Sequence, residues 1–476
     1  MYALGFIQTT SKSTEKIVRS IFIGLVCTGC SATASYQPNQ TEQLALPKDI
    51  ELRFNQLSAK DYRSPINGKQ RPGENLEALI IESINGAEYE ILLAVQELSL
   101  PRVAVALAAK HKAGVKVKVV VEDQYRKAWS KIHAAGLPPH QQQRLLQLAA
   151  LADSNNDGQL TASERYNGDA IALLETASVP IKDDTADGSK GSGLMHHKFI
   201  VIDQKQVIFG SSNFSNSDIH GDAAAPKTRG NANHLIRINN PTIAQIFKKE
   251  FEKLWSNQFG LNKQAATLEE AMVGDIRVQI LFAPHKRNIP ENGINLIRET
   301  LASAKQKIDL ALFVFSAQEL TGILEERVKA GVKLRALVDP GFASRSYSEL
   351  LDIMGISLAG KNCKTELNNK PWQKPTNTVG IPKLATGDKL HHKVAIIDEK
   401  IVISGSFNWS PSAAYSNDET LVILHSAELA RHFTREMERL WGGAILGVST
   451  KLERKIENSI RFCGRVSSIT NSKPSK

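Results

Sequence analysis

Two stretches of this chain each carry a histidine, a lysine and an asparagine at the same spacing. The first is Met195-His196-His197-Lys198-Phe199-Ile200-Val201-Ile202-Asp203, followed by Gly210-Ser211-Ser212-Asn213. The second is Leu390-His391-His392-Lys393-Val394-Ala395-Ile396-Ile397-Asp398, followed by Gly405-Ser406-Phe407-Asn408. Such a set suits a phosphodiester. Lys198, Lys393, Asn213 and Asn408 can hold non-bridging oxygens, and preorganised charge is often the largest catalytic contribution. His196 and His391 remain for the bonds that change. One attacks phosphorus while the other protonates the leaving alkoxide, and the second then activates water to release the enzyme-bound phosphoryl group. An alkoxide leaves poorly without a proton, so one copy alone lacks a catalytic group. Six residue types at fixed spacing arise by chance on the order of once in 10⁸ positions, so ordinary core histidines are the weaker reading of a set that occurs twice.

The unbroken apolar run in each copy suits a buried strand, in which residues two apart share a face. His196 then projects with Lys198, and His391 with Lys393, while His197 and His392 turn to the opposite side. The Gly-Ser that closes each following strand places small residues where a backbone comes close to a ligand. The duplicated H-x-K-x-x-x-x-D with a downstream G-S-x-N resembles the phospholipase D superfamily over roughly residues 75–443. The resemblance implies two similar α/β halves about a pseudo-twofold axis, one active site at their junction, and no metal for catalysis. It also implies a phosphohistidine on the first copy, with His196 as nucleophile and His391 as general acid. Asp203 and Asp398 are then mainly structural, Ser211 and Ser406 are supporting residues, and a carboxylate in an N-x-E segment supports the histidine. The second copy keeps that carboxylate as Glu419 in Asn417-Asp418-Glu419; the first reads Asn231-Ala232-Asn233.

The chain has 476 residues, of which 42% are hydrophobic, enough for two sizeable cores. Helical spacing at 76–84 and 102–112 alternates with strand runs at 89–95 and 115–121, and the order repeats at 294–302, 308–313, 320–329 and 332–338. Ala113-Gly114-Val115-Lys116-Val117-Lys118-Val119-Val120-Val121-Glu122 matches Ala330-Gly331-Val332-Lys333-Leu334-Arg335-Ala336-Leu337-Val338-Asp339. Alternation with short links predicts a mostly parallel sheet flanked by helices in each half. The expected organisation is a linker at 35–74 with a strand near 50–54, a first half at 75–260, a second at 275–445, and a basic tail at 446–476. Each half closes on an amphipathic helix ending in a Leu-Trp pair, Leu254-Trp255 and Leu440-Trp441, whose expected role is core packing. Phe214, Trp372, Phe407 and Trp409 stand where they would either line the pocket or pack in the core. The loop at 363–389, ahead of the second motif, is placed to set substrate access.

The first half carries an insertion at about 137–178 with no counterpart in the second. Within it, 153–164 satisfies every ligand position of an EF-hand loop: Asp153, Asn155, Asp157, the Gln159 carbonyl, Thr161 and Glu164, with Gly158 at the sharp turn. One such loop predicts a structural Ca2+ ion. At the other end, Lys12, Lys16 and Arg19 precede a short apolar run at 21–26, which reads as an export signal within residues 1–34, too brief to span a bilayer. Cys27-Thr28-Gly29-Cys30 resembles a lipoprotein box with Cys30 lipidated, and Ala32-Thr33-Ala34 an ordinary cleavage site. The expected location is therefore exported: periplasmic, membrane-anchored or secreted. Four cysteines show no zinc spacing, and Cys363 and Cys463 either pair or stand as free thiols. The net charge of +10 favours anionic partners, a phospholipid membrane or nucleic acid alike. Together these features predict a monomeric, internally pseudo-dimeric phosphodiesterase acting on phospholipid headgroups. A nuclease of the same superfamily, and a calcium-dependent binding protein on a decayed enzyme fold, are the alternatives.

Overall fold

Residues 198–202 and 393–397 are buried at every position, as strands covered on both faces require. The computed structural model describes residues 43–464 except 361 and 367, so the export segment and the end of the basic tail lie outside the described residues. In chain order, β1 (Ile50–Phe54) precedes a small hairpin of β2 (Asp61–Arg63) and β3 (Gln70–Pro72). The first half continues with β4 (Glu90–Val95), β5 (Lys116–Val121), β6 (Ile181–Asp183), β7 (Lys198–Ile202), β8 (Gln206–Gly210) and β9 (His234–Asn239). The second begins with β10 (Glu269–Val273), β11 (Ile276–Ala283), β12 (Lys307–Leu312) and β13 (Lys333–Val338). It ends with β14 (Val379–Ile381), β15 (Lys393–Ile397), β16 (Ile401–Gly405), β17 (Glu419–His425) and β18 (Ile445–Leu446).

Two sheets result, in the orders β1-β9-β8-β7-β4-β5-β6 and β10-β11-β17-β16-β15-β12-β13-β14-β18. Parallel pairing is confined to β4-β5-β6 and β12-β13-β14, where helices make the crossovers. Every other pairing in the two sheets is antiparallel. The α/β architecture in two halves matches the sequence expectation, but the mostly parallel sheet is corrected to a mixed one. The reason is local. Only Asp203, Gln204 and Lys205 join β7 to β8, too few for the crossover that parallel neighbours need. Asp203 and Gln204 take positive φ of 51° and 56°, and Asp398 and Glu399 repeat this at 51° and 54°. The polar segment ahead of residue 75 supplies β1, which pairs along β9 as an edge strand.

One apolar core lies between the sheets and draws on both halves, so Phe199, Phe247 and Phe251 share it with Phe282, Phe433 and Met437. The rings of Phe247 and Phe282 meet edge-on at 5.3 Å. The helices that supply these side chains start where their sequences say. Asn240 caps Pro241–Trp255 by accepting from the Ile243 N–H, with Pro241 at the first turn, and Ser426 caps Ala427–Trp441 by accepting from Leu429. Truncating the fully buried Phe247 to alanine would cost about 3–5 kcal/mol. Beyond the second sheet, the tail forms a helix, Thr450–Cys463, whose Leu452 packs on Leu351, Ile356 and Leu358. Cys463 is disulfide-bonded to Cys363, tying this helix to the loop ahead of the second motif. Among the described residues no helix is long and apolar enough to cross a membrane.

Candidate active site

Backbone contacts across the halves bring the two motif histidines together. The His196 N–H donates to the Asp418 carbonyl at 2.9 Å, and the His391 N–H to the Ala232 carbonyl at 3.0 Å. Returning bonds run from Asp418 N–H to Leu194 and from Ala232 N–H to Lys389, both 2.8 Å. Each motif is also held from within its own half by an acidic residue just past β5 or β13, one strand removed from the motif strand. Glu122 accepts from the Met195 N–H, and Asp339 from the Leu390 N–H at 2.9 Å.

The side chains then pair crosswise. His196 Nδ1 lies 2.7 Å from Glu419 Oε2, which also accepts from Ser406 Oγ at 2.6 Å. A carboxylate only accepts, so Nδ1 carries the proton and Nε2 keeps its lone pair. His391 Nδ1 lies 3.0 Å from Asn233 Oδ1, which accepts from Ser211 Oγ at 2.8 Å. Comparing the motifs half by half suggested that the first-copy histidine lacks its carboxylate. The structure corrects this, because each N-x-E or N-x-N segment serves the histidine of the opposite half. Asp218 adds a carboxylate 3.8 Å from His391 Nδ1, on the side where Asn233 brings only an amide.

Both histidines and both lysines are almost wholly buried. Lys198 Nζ donates to the His196 carbonyl at 2.8 Å and to Gln96 Oε1 at 3.3 Å, and Lys393 Nζ to the His391 carbonyl at 2.6 Å. Burial pulls Lys198 down to about 8, against the attraction of Glu419 and Asp218. Lys393 lies well below the ordinary lysine value through burial and the nearby Lys198. His196 is pulled down to about 4 by burial, with Glu419 opposing and the two lysines reinforcing. His391 is pushed well below the usual imidazole value by burial, Lys393 and Lys198. The free site therefore presents neutral imidazoles among depressed ammoniums, a field that an anion would relieve. Asn213 and Asn408 follow the second strand of each motif hairpin. Their side-chain oxygens are buried without a hydrogen-bond partner among the described residues.

Other candidates stand elsewhere. Asp203 accepts from the N–H groups of Glu88, Tyr89 and Glu90 at 2.7–2.8 Å, and Asp398 from Lys305, Gln306 and Lys307 at 2.8 Å. Both sit at the hairpin ends of the motif strands. The tight approach at Gly210 and Gly405 is to the neighbouring strand, at the carbonyls of His234 and Thr420, rather than to a ligand. Phe214, Trp372, Phe407 and Trp409 are core residues. His197 and His392 face the junction, where His197 meets Thr420 and Glu250, and His392 meets His234 and Glu436. Lys263 bonds both Glu250 and Asp418, so the His197-Glu250-Asp418 group is an ion-pair cluster with its cation already supplied. Sequence reasoning missed Glu122, Asp339, Gln96 and Asp218. The first two end the repeated strands and were legible there, whereas Asp218 aligns with Ala413 and left no repeat signal.

In the insertion, Asp153, Asn155 and Asp157 turn oxygens toward the loop's own N–H groups around Gly158 at φ +77°. Glu164 folds back in a capping box with Thr161, whose hydroxyl and N–H, with Ser154, hold its carboxyl down at about 2.

A family model described as cardiolipin synthase, PLD-like domain, matches residues 80–255 and 297–441, most of both halves. The mouse mitochondrial cardiolipin hydrolase is 28% identical over 153 residues, 32% of this chain and 59% of that protein. A phospholipase D of Rickettsia bellii is 27% identical over 154 residues, 32% of this chain and 64% of that one. The phosphatidylserine synthase of Haemophilus influenzae, 11% identical with a TM-score of 0.52, covers 88% of this chain and 95% of its own, and so shares the fold. With its two motifs matched on both sides of one junction, the chain belongs to the family of cardiolipin synthase, PLD-like domains.

Proposed function

We propose that this protein is a phosphodiesterase that hydrolyses the headgroup phosphodiester of phospholipids through a phosphohistidine. The observation that carries the reading is the His196–Glu419 pair at 2.7 Å, which leaves Nε2 as the free base of a buried imidazole facing the second motif. The names of the relatives, a cardiolipin hydrolase and a phospholipase D, support the lipid assignment.

In the first step the His196 Nε2 lone pair forms a bond to phosphorus, the bond to the leaving alcohol breaks, and His391 gives that oxygen its proton. Lys198, Lys393, Asn213 and Asn408 hold the non-bridging oxygens. The bound phosphate restores charge to His391, because an anion between the two lysines offsets the field that depresses it. In the second step His391 takes a proton from water, the hydroxide bonds to phosphorus, and the N–P electrons return to His196. The test is headgroup release from vesicles by the purified protein beside His196→Ala and His391→Ala, with plasmid and single-stranded DNA in parallel. Loss of release in both variants is the expected result, and DNA cleavage without headgroup release would replace the lipid by nucleic acid. Trapping the adduct in His391→Asn with bis(4-nitrophenyl) phosphate, whose leaving group needs no proton, and mapping it to the His196 peptide tests the nucleophile.

We also propose that Asp153, Asn155, Asp157, Gln159, Thr161 and Glu164 hold Ca2+ as a structural ion, with export placing the protein where calcium is plentiful. Calorimetric titration with Ca2+ should give heat that an Asp153→Ala variant loses. Silence at millimolar ion would retire the assignment.

A further inference from the structure

The repeat makes the two sides of the site comparable, and they differ. Gln96 and Phe313 hold one position, since each N–H donates to the carbonyl of the second motif histidine, His197 at 3.0 Å and His392 at 2.8 Å. Tyr125 and Phe342 hold another, each N–H donating to the acidic residue just past the preceding strand, Glu122 at 3.0 Å and Asp339 at 2.9 Å. On the His196 side these positions are polar. Gln96 accepts from Lys198, and the Tyr125 ring is covered by the Arg144 guanidinium at 4.8 Å, which pairs with Glu97 at 3.1 Å. On the His391 side they are hydrocarbon. The Phe313 ring centre is 4.7 Å from His391 and 4.7 Å from Phe342, inclined at 62° and 70°, and both rings are half-buried. The Lys393 and Lys389 ammoniums stand 4.9 Å and 5.9 Å from the Phe313 ring centre.

In an in-line displacement the leaving oxygen departs opposite the attacking atom, so a His196 nucleophile puts the leaving alcohol against His391. Resting on that reading, we propose that Phe313 and Phe342 form the leaving-alcohol subsite. It takes an uncharged or anionic alcohol with an apolar or planar face and turns away a cationic one. A bare aromatic face would attract a cation. Here Lys393 and Lys389 already lie by that ring, and a third cation brought to it would be repelled by both and bind about tenfold more weakly, or worse, in a partly dry site. A neutral alcohol meets no such repulsion and gains ring contact. The same chemistry is offered by the glycerol headgroup of a phospholipid and by the sugar of a nucleotide.

The experiment measures kcat/KM of the full protein on vesicles of phosphatidylglycerol, vesicles of phosphatidylcholine, an oligodeoxynucleotide and bis(4-nitrophenyl) phosphate. Wild type is compared with Phe313→Gln, which restores the amide of the other half, with Phe313→Leu and with Phe342→Ala. The wild type should prefer phosphatidylglycerol over phosphatidylcholine by about tenfold or more. Phe313→Gln and Phe342→Ala should lose about tenfold on the neutral leaving groups, with Phe313→Leu in between. Cleavage of the oligonucleotide but not phosphatidylglycerol, with the same loss in the variants, would assign the alcohol to nucleic acid and keep the subsite. Equal turnover of the two lipids, or unchanged ratios in folded Phe313 variants, would overturn it. An adduct mapped to His391 would instead overturn the underlying nucleophile assignment, whereas an adduct on His196 with unchanged ratios sinks the subsite alone.

Discussion

Glu419 stands one hydrogen bond from the imidazole proposed to attack phosphorus, and its charge works against the burial and the lysines that pull His196 down to about 4. His196 must be neutral to attack, so kcat/KM should rise with pH through about 4. His391 must carry the proton it donates and lies well below the ordinary imidazole value in the free site, so kcat/KM should fall above the His391 value. The fall should steepen above about 8, where Lys198 loses the charge that holds a phosphate oxygen. Initial rates across pH check both limbs. Glu419→Gln removes the group that raises the His196 pKa, so the acid limb should move to lower pH while kcat falls by about 10²–10⁴-fold, as when the carboxylate of a hydrolase triad is made an amide. Unchanged rates and limbs would reduce the pair to a structural contact. The catalytic residue types were legible because chemistry fixes them twice over at one spacing. Their partners were not, because Glu419 and Asn233 lie more than 150 residues from the histidines they touch, and the repeat suggested the wrong pairing.

At the scale of elements, the motif hairpins are built the same way twice. Asp203 and Asp398 take positive φ at the turn and gather three N–H groups each from the start of the adjacent strand. Asp203→Ala leaves those donors without their charged acceptor and should cost about 2–3 kcal/mol in urea unfolding, with kcat of the folded enzyme little changed. A tenfold fall in kcat at unchanged stability would contradict that division. Cys463→Ser frees the tail helix by opening a cross-link that spans 100 residues, and should cost about 2–4 kcal/mol in the same measurement. Strand runs and flanking helices were legible from their apolar periods. Pairing direction was not, since it depends on how many residues separate two strands rather than on what the strands contain.

Across the whole molecule, the junction is held by buried charge as well as by phenylalanine rings. Lys263 sits between Glu250 and Asp418 at 1% side-chain exposure, and Glu250 also meets His197. Against burial, the charge of Lys263 pulls Glu250 down to about 2. Its folded value lies below the ordinary 4.5, so its contribution is present above about 4.5 and is lost as pH falls towards about 2. His234 and His392, ring to ring at 5.1 Å, are both pushed below 6.5, chiefly by burial. Protonation therefore favours the unfolded chain once pH drops below about 6.5. The melting temperature should decline below that pH and again below about 4.5. Lys263→Met, which strands two buried carboxylates, should destabilise by about 3–5 kcal/mol and unfold both halves together. Two separate transitions would show that the halves stand independently.

The crossed histidine partners also make the halves unequal as building blocks. Two copies of the first half related by a true twofold would set Asn233 opposite both histidines, and each imidazole would have only the more distant Asp218 carboxylate in place of a directly bonded Glu419. Two copies of the second would set Glu419 opposite both, giving either side the means to attack. A search for a minimal homodimer should therefore begin from the second half carried back to residue 260, so that each buried Asp418 keeps Lys263 and the Gly260 N–H, with the insertion-bearing half discarded.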